Sequence, residues 1–302
     1  IPEMSRFFEV LYPRVSLSVL MILLLLLSLL LRTLTSSAGN VIGVNKRVMV
    51  WMCLEFCEET EMIIDTNLKQ IDAHRDIISA ASFEKYTLGP NSTLVDNNLT
   101  EVSSSIVAMG LEAWPLLSSY PHPPEFIDWM RDVFRDPLPF FESCIHEAQL
   151  HNYTGYNLDW EPTDGVTVDD GNDYAIFIDK FATSLHVAGL VLSVDVATWT
   201  DIWNYTAISA SAVDRAISMG TYTSSDSSFS SQLDLLVTNF GPLRSGVGLE
   251  TVNASTEQRM SLDEVSWRFQ QIEMSGAMEV DLWKMPIPPL WWPLISDYFY
   301  RR

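Results

Sequence analysis

The sequence predicts an α/β chain built as a (β/α)8 TIM barrel, and three observations carry that reading. Eight short apolar segments with strand character recur mostly about 30 residues apart, at 48–54, 77–83, 106–114, 156–161, 191–197, 216–221, 246–250 and 278–283. The stretches between them have helical periodicity, and strands alternating with helices imply a parallel sheet. No glycine-rich phosphate loop follows any of the strands, which disfavours the rival open, doubly wound sheet. At 302 residues the chain is long enough for one closed barrel or two average domains.

The intervening helices are read in order. Ile64, Leu68 and Ile71 follow i, i+4, i+7, and so do Phe126, Met130 and Val133. Tyr174, Phe177, Phe181 and Leu185 keep three- or four-residue spacing behind a cap expected at Asp170 or Asn172. Ser261-Leu262-Asp263-Glu264 reads as a capping box opening a helix through Val265, Phe269 and Ile272 that stops near Gly276. The barrel is thus expected over 46–302. Ahead of it, 1–45 reads as a targeting segment with a short linker. The run 15–31, opening at Val15 and closing at Leu31, is almost purely apolar, follows Arg6 and Arg14, and precedes small residues suited to signal peptidase. It is expected to be a signal peptide or a signal anchor that holds the chain on a membrane. The chain opens on Ile1, so an upstream start residue is expected.

The formal net charge of −21 argues against nucleic acid or an anionic membrane surface as partner, and suits a neutral or cationic ligand. Five Asn-x-Ser/Thr sequons, at Asn91, Asn98, Asn152, Asn204 and Asn253, point to a glycosylated extracellular or luminal protein of the secretory pathway. Of Cys53, Cys57 and Cys144, an oxidising compartment allows one disulfide and leaves one thiol, without the sequence specifying the pair. The histidines form no ligand motif and are read as surface or capping residues. No metal or other cofactor is expected, and the chain is expected to be monomeric.

The most informative stretch is 155–162, Gly-Tyr-Asn-Leu-Asp-Trp-Glu-Pro. Side chains alternate along a strand, so Asn157, Asp159 and Glu161 share one face while Leu158 and Trp160 take the other. On a barrel strand the polar face looks into the mouth. Two carboxyls held close together there cannot both ionise easily, so one pKa rises and a general acid for near-neutral pH results.

This stretch, the fourth in an eight-strand count, resembles glycoside hydrolase family 18, the chitinase-like family, whose signature is Asp-x-x-Asp-x-Asp-x-Glu on the fourth barrel strand. The matching positions are Thr154, Asn157, Asp159 and Glu161, of which the last two agree. The resemblance implies that Glu161 protonates the glycosidic oxygen. It also implies that Asp159 orients a substrate acetamido group whose carbonyl oxygen attacks the anomeric carbon, a substrate-assisted scheme. Tyr222 after the sixth strand stands where the family bonds the acetamido group, with Thr223 in place of the usual Asp. Trp283 at the end of the eighth stands where the family keeps the floor of the sugar site. The family's Ser-x-Gly-Gly on the third strand is absent. The implied substrate is an oligosaccharide or polysaccharide containing β-linked N-acetylglucosamine, with Asn157 and Asp195 in the same cleft.

Two alternatives stand beside this reading. Glu161 and Glu250, at the ends of strands four and seven, could form a two-carboxylate retaining pair, which leaves Asp159 unexplained. A chitinase-like lectin would keep the barrel and bind sugar with little turnover. Expression in a eukaryotic secretory host should give a product whose electrophoretic mobility increases after N-glycosidase treatment. An unchanged mobility would contradict the targeting reading.

Overall fold

The computed structural model describes residues 46–252 and 258–301. Among the described residues nine strands form one sheet: β1 (Arg47–Met52), β2 (Ala80–Gly89), β3 (Thr93–Asp96), β4 (Glu112–Ser118), β5 (Gly155–Asp159), β6 (Val191–Val196), β7 (Arg215–Ser218), β8 (Ser245–Glu250) and β9 (Glu279–Trp283). The order is β1-β9-β8-β7-β6-β5-β4-β2-β3, and β1 also pairs with β2, which closes eight parallel strands into a barrel. Only β3 is antiparallel, folded back on the long end of β2 as a hairpin.

The helices are α1 (Glu61–Ala73), α2 (Ser103–Ala108), α3 (Phe126–Arg135), α4 (Leu138–His151), α5 (Val168–Val187), α6 (Tyr205–Ser209), α7 (Asp226–Phe240), α8 (Leu262–Ser275) and α9 (Trp292–Tyr300). The expected apolar stripes face the sheet: Ile64 and Ile71, Phe126, Met130 and Val133, and Tyr174, Phe177, Phe181 and Leu185 are all buried. The Ser261–Glu264 capping box forms as expected and its helix ends at Gly276, which takes φ 76°. At the start of α5 the cap is Thr167 rather than Asp170 or Asn172. Asp170 instead returns the bond to the Thr167 backbone as the third residue of the helix.

The third barrel strand departs from expectation. Residues 103–108 form α2, a turn at Gly110 (φ 81°) follows, and β4 begins only at Glu112. The short apolar run around Ile106 is buried as a helix face, and periodicity over so few residues does not separate helix from strand. Pro115 lies inside β4, a position that removes one ladder donor and disguises the strand in sequence. The hairpin strand β3 was not anticipated. The fourth strand ends at Asp159 and the sixth at Ser218, so Glu161 and Tyr222 stand on the loops just beyond.

The two ends of the barrel differ. At the N-terminal strand ends, Arg47 gives two hydrogen bonds to Glu112 (2.9 and 2.7 Å) and one to Glu279 (3.3 Å), and Arg215 Nε lies 2.7 Å from Glu279. The Arg215 guanidinium also covers the Trp114 ring at 5.3 Å. Above this ionic floor, Met49, Trp51, Ala80, Trp114 and Ile217 fill the barrel. Outside it, Trp160 is fully buried, stacked on Phe177 at 5.1 Å and met edge-on by Phe126. The segment 15–31 and Asn253 lie outside the described residues. Among the described residues no helix is long and apolar enough to cross a membrane.

Trp160→Ala should lower unfolding free energy by about 3–5 kcal/mol in urea titration, the range for emptying a packed aromatic site. A loss under 1 kcal/mol would mean the interface between β5 and its helices is not the packed core described.

Candidate active site

The C-terminal strand ends surround a cavity of about 230 Å³. Asp159, Glu161, Asp195, Tyr222 and Trp283 all line it. Asn157 lies one turn of the pleat deeper and is fully buried. Glu250, buried at the end of β8, is not among the described residues lining this cavity. Its charge, after burial and Asp195, helps raise the Tyr222 pKa.

Asn157 is tied on every side. Its Oδ1 accepts from Trp51 Nε1 at 2.8 Å and from Ser82 Oγ at 3.3 Å, and its Nδ2 donates to Ser193 Oγ at 3.0 Å and to Asp195 Oδ1 at 2.9 Å. These partners come from β1, β2 and β6, so one amide joins three strands to β5. The next inward residue, Asp159, has a buried Oδ1 with no hydrogen-bond partner. Burial first, then the carboxyls of Glu161, Asp195 and Glu84, hold the Asp159 carboxyl well above the usual carboxylate range. Burial also raises Glu161. Asp195 is raised by burial, opposed by its bond from Asn157 and reinforced by Glu161. The protonated form is favoured in such a group, because the low-dielectric mouth penalises every added negative charge.

The backbone carrying these acids is clamped by Ser119, just past β4. Its N–H donates to the Asp159 carbonyl at 3.1 Å, and its hydroxyl accepts from Glu161 N–H at 2.9 Å. Ser119 Oγ also meets His122 Nδ1 at 3.3 Å, and His122 hydrogen-bonds the Glu161 backbone. Burial depresses the His122 pKa, which favours the neutral ring. His122 is exposed, as expected of a surface histidine, and it also lines the cavity.

Tyr222 owes its place to a glycine. A Cβ on Gly248 would stand 2.7 Å from the Tyr222 ring, so only glycine on β8 leaves room for it. Thr221 Oγ1 secures the turn to the carbonyls of Ser218 (2.6 Å) and Gly248 (2.7 Å). Trp283 meets Trp51 edge-on at 6.1 Å. The rim adds Trp199 together with Phe56 and Tyr120, the last two of which sequence reasoning did not assign to the site. Phe56 packs edge-on against Tyr120 at 5.4 Å. Its loop is closed by the Cys53–Cys57 disulfide, while Cys144 is free and buried. Glu84 accepts the backbone N–H groups of Glu55 and Phe56 and anchors that loop. Trp51, Phe56 and Glu84 could be sought from sequence only by knowing which residues face inward at strand ends one and two.

A cavity with exposed aromatic faces over buried acids fits a sugar, whose C–H faces stack on rings while its hydroxyls meet the polar groups. Among the described residues no cluster of three or more His, Cys, Asp or Glu could hold a metal ion.

No protein-family model matches the chain, and no curated protein matches it in sequence. Solved structures do resemble it. A chitinase from Chromobacterium violaceum superposes with a TM-score of 0.70 at 13% identity, covering 85% of this chain and 100% of that one. The Bacillus cereus spore cortex-lytic enzyme SleL gives 0.71 at 13% identity over 84% of this chain and 74% of its own. A class V chitinase from Nicotiana tobaccum in complex with NAG4 gives 0.64 at 10% identity over 85% and 99%. The fold is the closed parallel (β/α)8 barrel that these chitinase structures share. At such low identity the likeness is one of fold, and the site must be argued from its own geometry.

The raised carboxyls carry a stability consequence with a definite sign. A group whose folded pKa lies above its unfolded value contributes stability below the unfolded pKa and loses it as pH rises through the folded one. Asp159, Glu161 and Asp195 therefore favour the folded state at about pH 4 and oppose it progressively above that. Melting temperature should fall as pH rises above the ordinary carboxylate range of about pH 4. A flat or rising curve there would contradict the description of these carboxyls as held toward the neutral form.

Proposed function

We propose that the chain is a glycoside hydrolase acting on β-linked N-acetylglucosamine glycans, chitin-like or of the N-glycan core type, by substrate-assisted retaining hydrolysis. The observation that carries the reading is that Asp159 and Glu161 line one aromatic-walled cavity together with Tyr222 and Trp283, whereas Glu250 does not line it. Glu161, whose partial burial favours its protonated form, gives its proton to the glycosidic oxygen as that bond breaks. The acetamido oxygen of the same sugar attacks the anomeric carbon from the opposite side and forms a cyclic intermediate. Asp159, which lines the cavity, accepts the acetamido N–H and stabilises the charge that develops there. Tyr222 donates to the acetamido oxygen, and Trp283 underlies the ring. Glu161, now a carboxylate, takes a proton from the water that opens the intermediate, so the anomeric configuration is retained.

The same proposal places the protein in the secretory pathway. Three sequon asparagines, Asn91, Asn98 and Asn152, are exposed, and Cys53 and Cys57 form a disulfide. Whether segment 15–31 is cleaved or kept as an anchor belongs to that proposal.

The test is turnover of a fluorogenic chitobiose glycoside. Glu161→Gln and Asp159→Ala should each reduce kcat by about a hundredfold or more, the scale of a positioned catalytic group. Glu250→Ala should cost much less, and a glucoside lacking the N-acetyl group should not be cleaved. Efficient cleavage of that glucoside, with Glu250→Ala inactive and Asp159→Ala active, would establish the two-carboxylate scheme instead. Retention on chitin without turnover would make the protein a lectin.

A further inference from the structure

We propose that Asp195 is the positioning carboxyl of this site, holding its proton balance from β6 through Asn157. The proposal deepens the reading of Asp159 and Glu161 given above and rests on it. In the signature that the stretch resembles, position 157 is an acid, whereas the amide of Asn157 can neither release nor take up a proton. All four of its hydrogen-bonding positions are occupied, by Trp51, Ser82, Ser193 and Asp195, so its orientation is locked with Nδ2 toward the Asp195 carboxyl. Nothing in that set is left for Asp159, whose buried Oδ1 lacks a partner. The ionisable partner that position 157 lacks is supplied by its hydrogen-bonded neighbour on the adjacent strand. Asp195 is 3% exposed and lines the same cavity as Asp159 and Glu161.

The groups around Asp195 leave it without a counter-charge. Asp159 and Glu161 at the end of β5 line its cavity, and Tyr222 after β7, Asp281 on β9 and Tyr174 on α5 share its electrostatic field. All are acids or phenols, and the arginines of the barrel floor, Arg47 and Arg215, act on Asp281. Asp281 is itself fully buried with both carboxyl oxygens unpartnered. An added carboxyl in such a group raises its neighbours' affinity for protons. Asp195 thereby keeps the Asp159–Glu161 pair protonated to higher pH than the pair could hold alone, which is the state the acid step needs.

The experiment compares wild type, Asp195→Asn and the double exchange Asn157→Asp/Asp195→Asn, which retains an amide–carboxyl pair across β5 and β6. In the pH profile of kcat/KM for the chitobiose glycoside, Asp195→Asn should move the basic limb down by about one pH unit, with kcat lowered and KM little changed. The exchange should bring the limb back toward wild type. Melting temperature measured from about pH 5 to pH 8 gives a second reading that needs no turnover. Its fall should be shallower in Asp195→Asn and restored in the exchange. If both the basic limb and the melting slope of Asp195→Asn coincide with wild type, Asp195 is only a structural residue and the proposal is overturned. An exchange variant no different from Asp195→Asn also overturns it. If wild type cleaves no N-acetylglucosamine glycoside, the proposed function fails, and the melting comparison still decides the role of Asp195.

Discussion

The side-chain amide of Asn157 is the joint on which the mouth of the barrel depends. It sits where water does not reach and meets side chains from three other strands, so its four hydrogen bonds fix β1, β2, β5 and β6 to one another at the level just below the cavity. A buried amide with even one bond unmade costs more than the bond is worth when made, so the arrangement is intolerant of shifts. The indole of Trp51 is oriented by the same amide and in turn supports Trp283. The carboxyl of Asp195 is oriented by it too. The floor of the cavity and its acidic wall therefore share one determinant, and that determinant carries no charge.

The barrel handles charge in opposite ways at its two ends. At the N-terminal end every carboxyl near the axis meets an arginine: Glu112 and Glu279 are matched by Arg47 and Arg215. Arg47 holds Glu112 below its usual carboxylate range despite burial. At the C-terminal end Asp159 and Asp195 have no such arginine partner and are held toward the neutral form. The first arrangement closes the barrel and stabilises it. The second stores protons at the cost of stability, which is the behaviour expected where acid chemistry is done. The difference follows from which residue types stand at the two ends of the same strands.

Much of this was legible in the order of residues. The alternation in 155–161 placed Asn157 and Asp159 inward and Leu158 and Trp160 under the helices, as found. The stripes of α1, α3 and α5 and the capping box of α8 were read from spacing alone. The misread strand around Ile106 shows the limit, since a few apolar residues beside a glycine fit either secondary structure until the neighbouring strand settles the register. His122 was passed over because a lone histidine carries no pattern. Its importance comes from meeting Ser119 and the Glu161 backbone in space.

By itself, then, the sequence determined the class of fold, the acidic character of the chain and the pair Asp159 and Glu161, because those depend on local periodicity and residue type. The tertiary structure alone decided which acids share a cavity. It separated Glu250 from the lining, joined Asp195 to Asn157 across neighbouring strands, paired Cys53 with Cys57 and set Phe56 opposite Tyr120 on the rim. Those relations are set by the register and closure of the barrel, which bring together residues from strands far apart in the chain, and no local pattern along the chain encodes the distance between them.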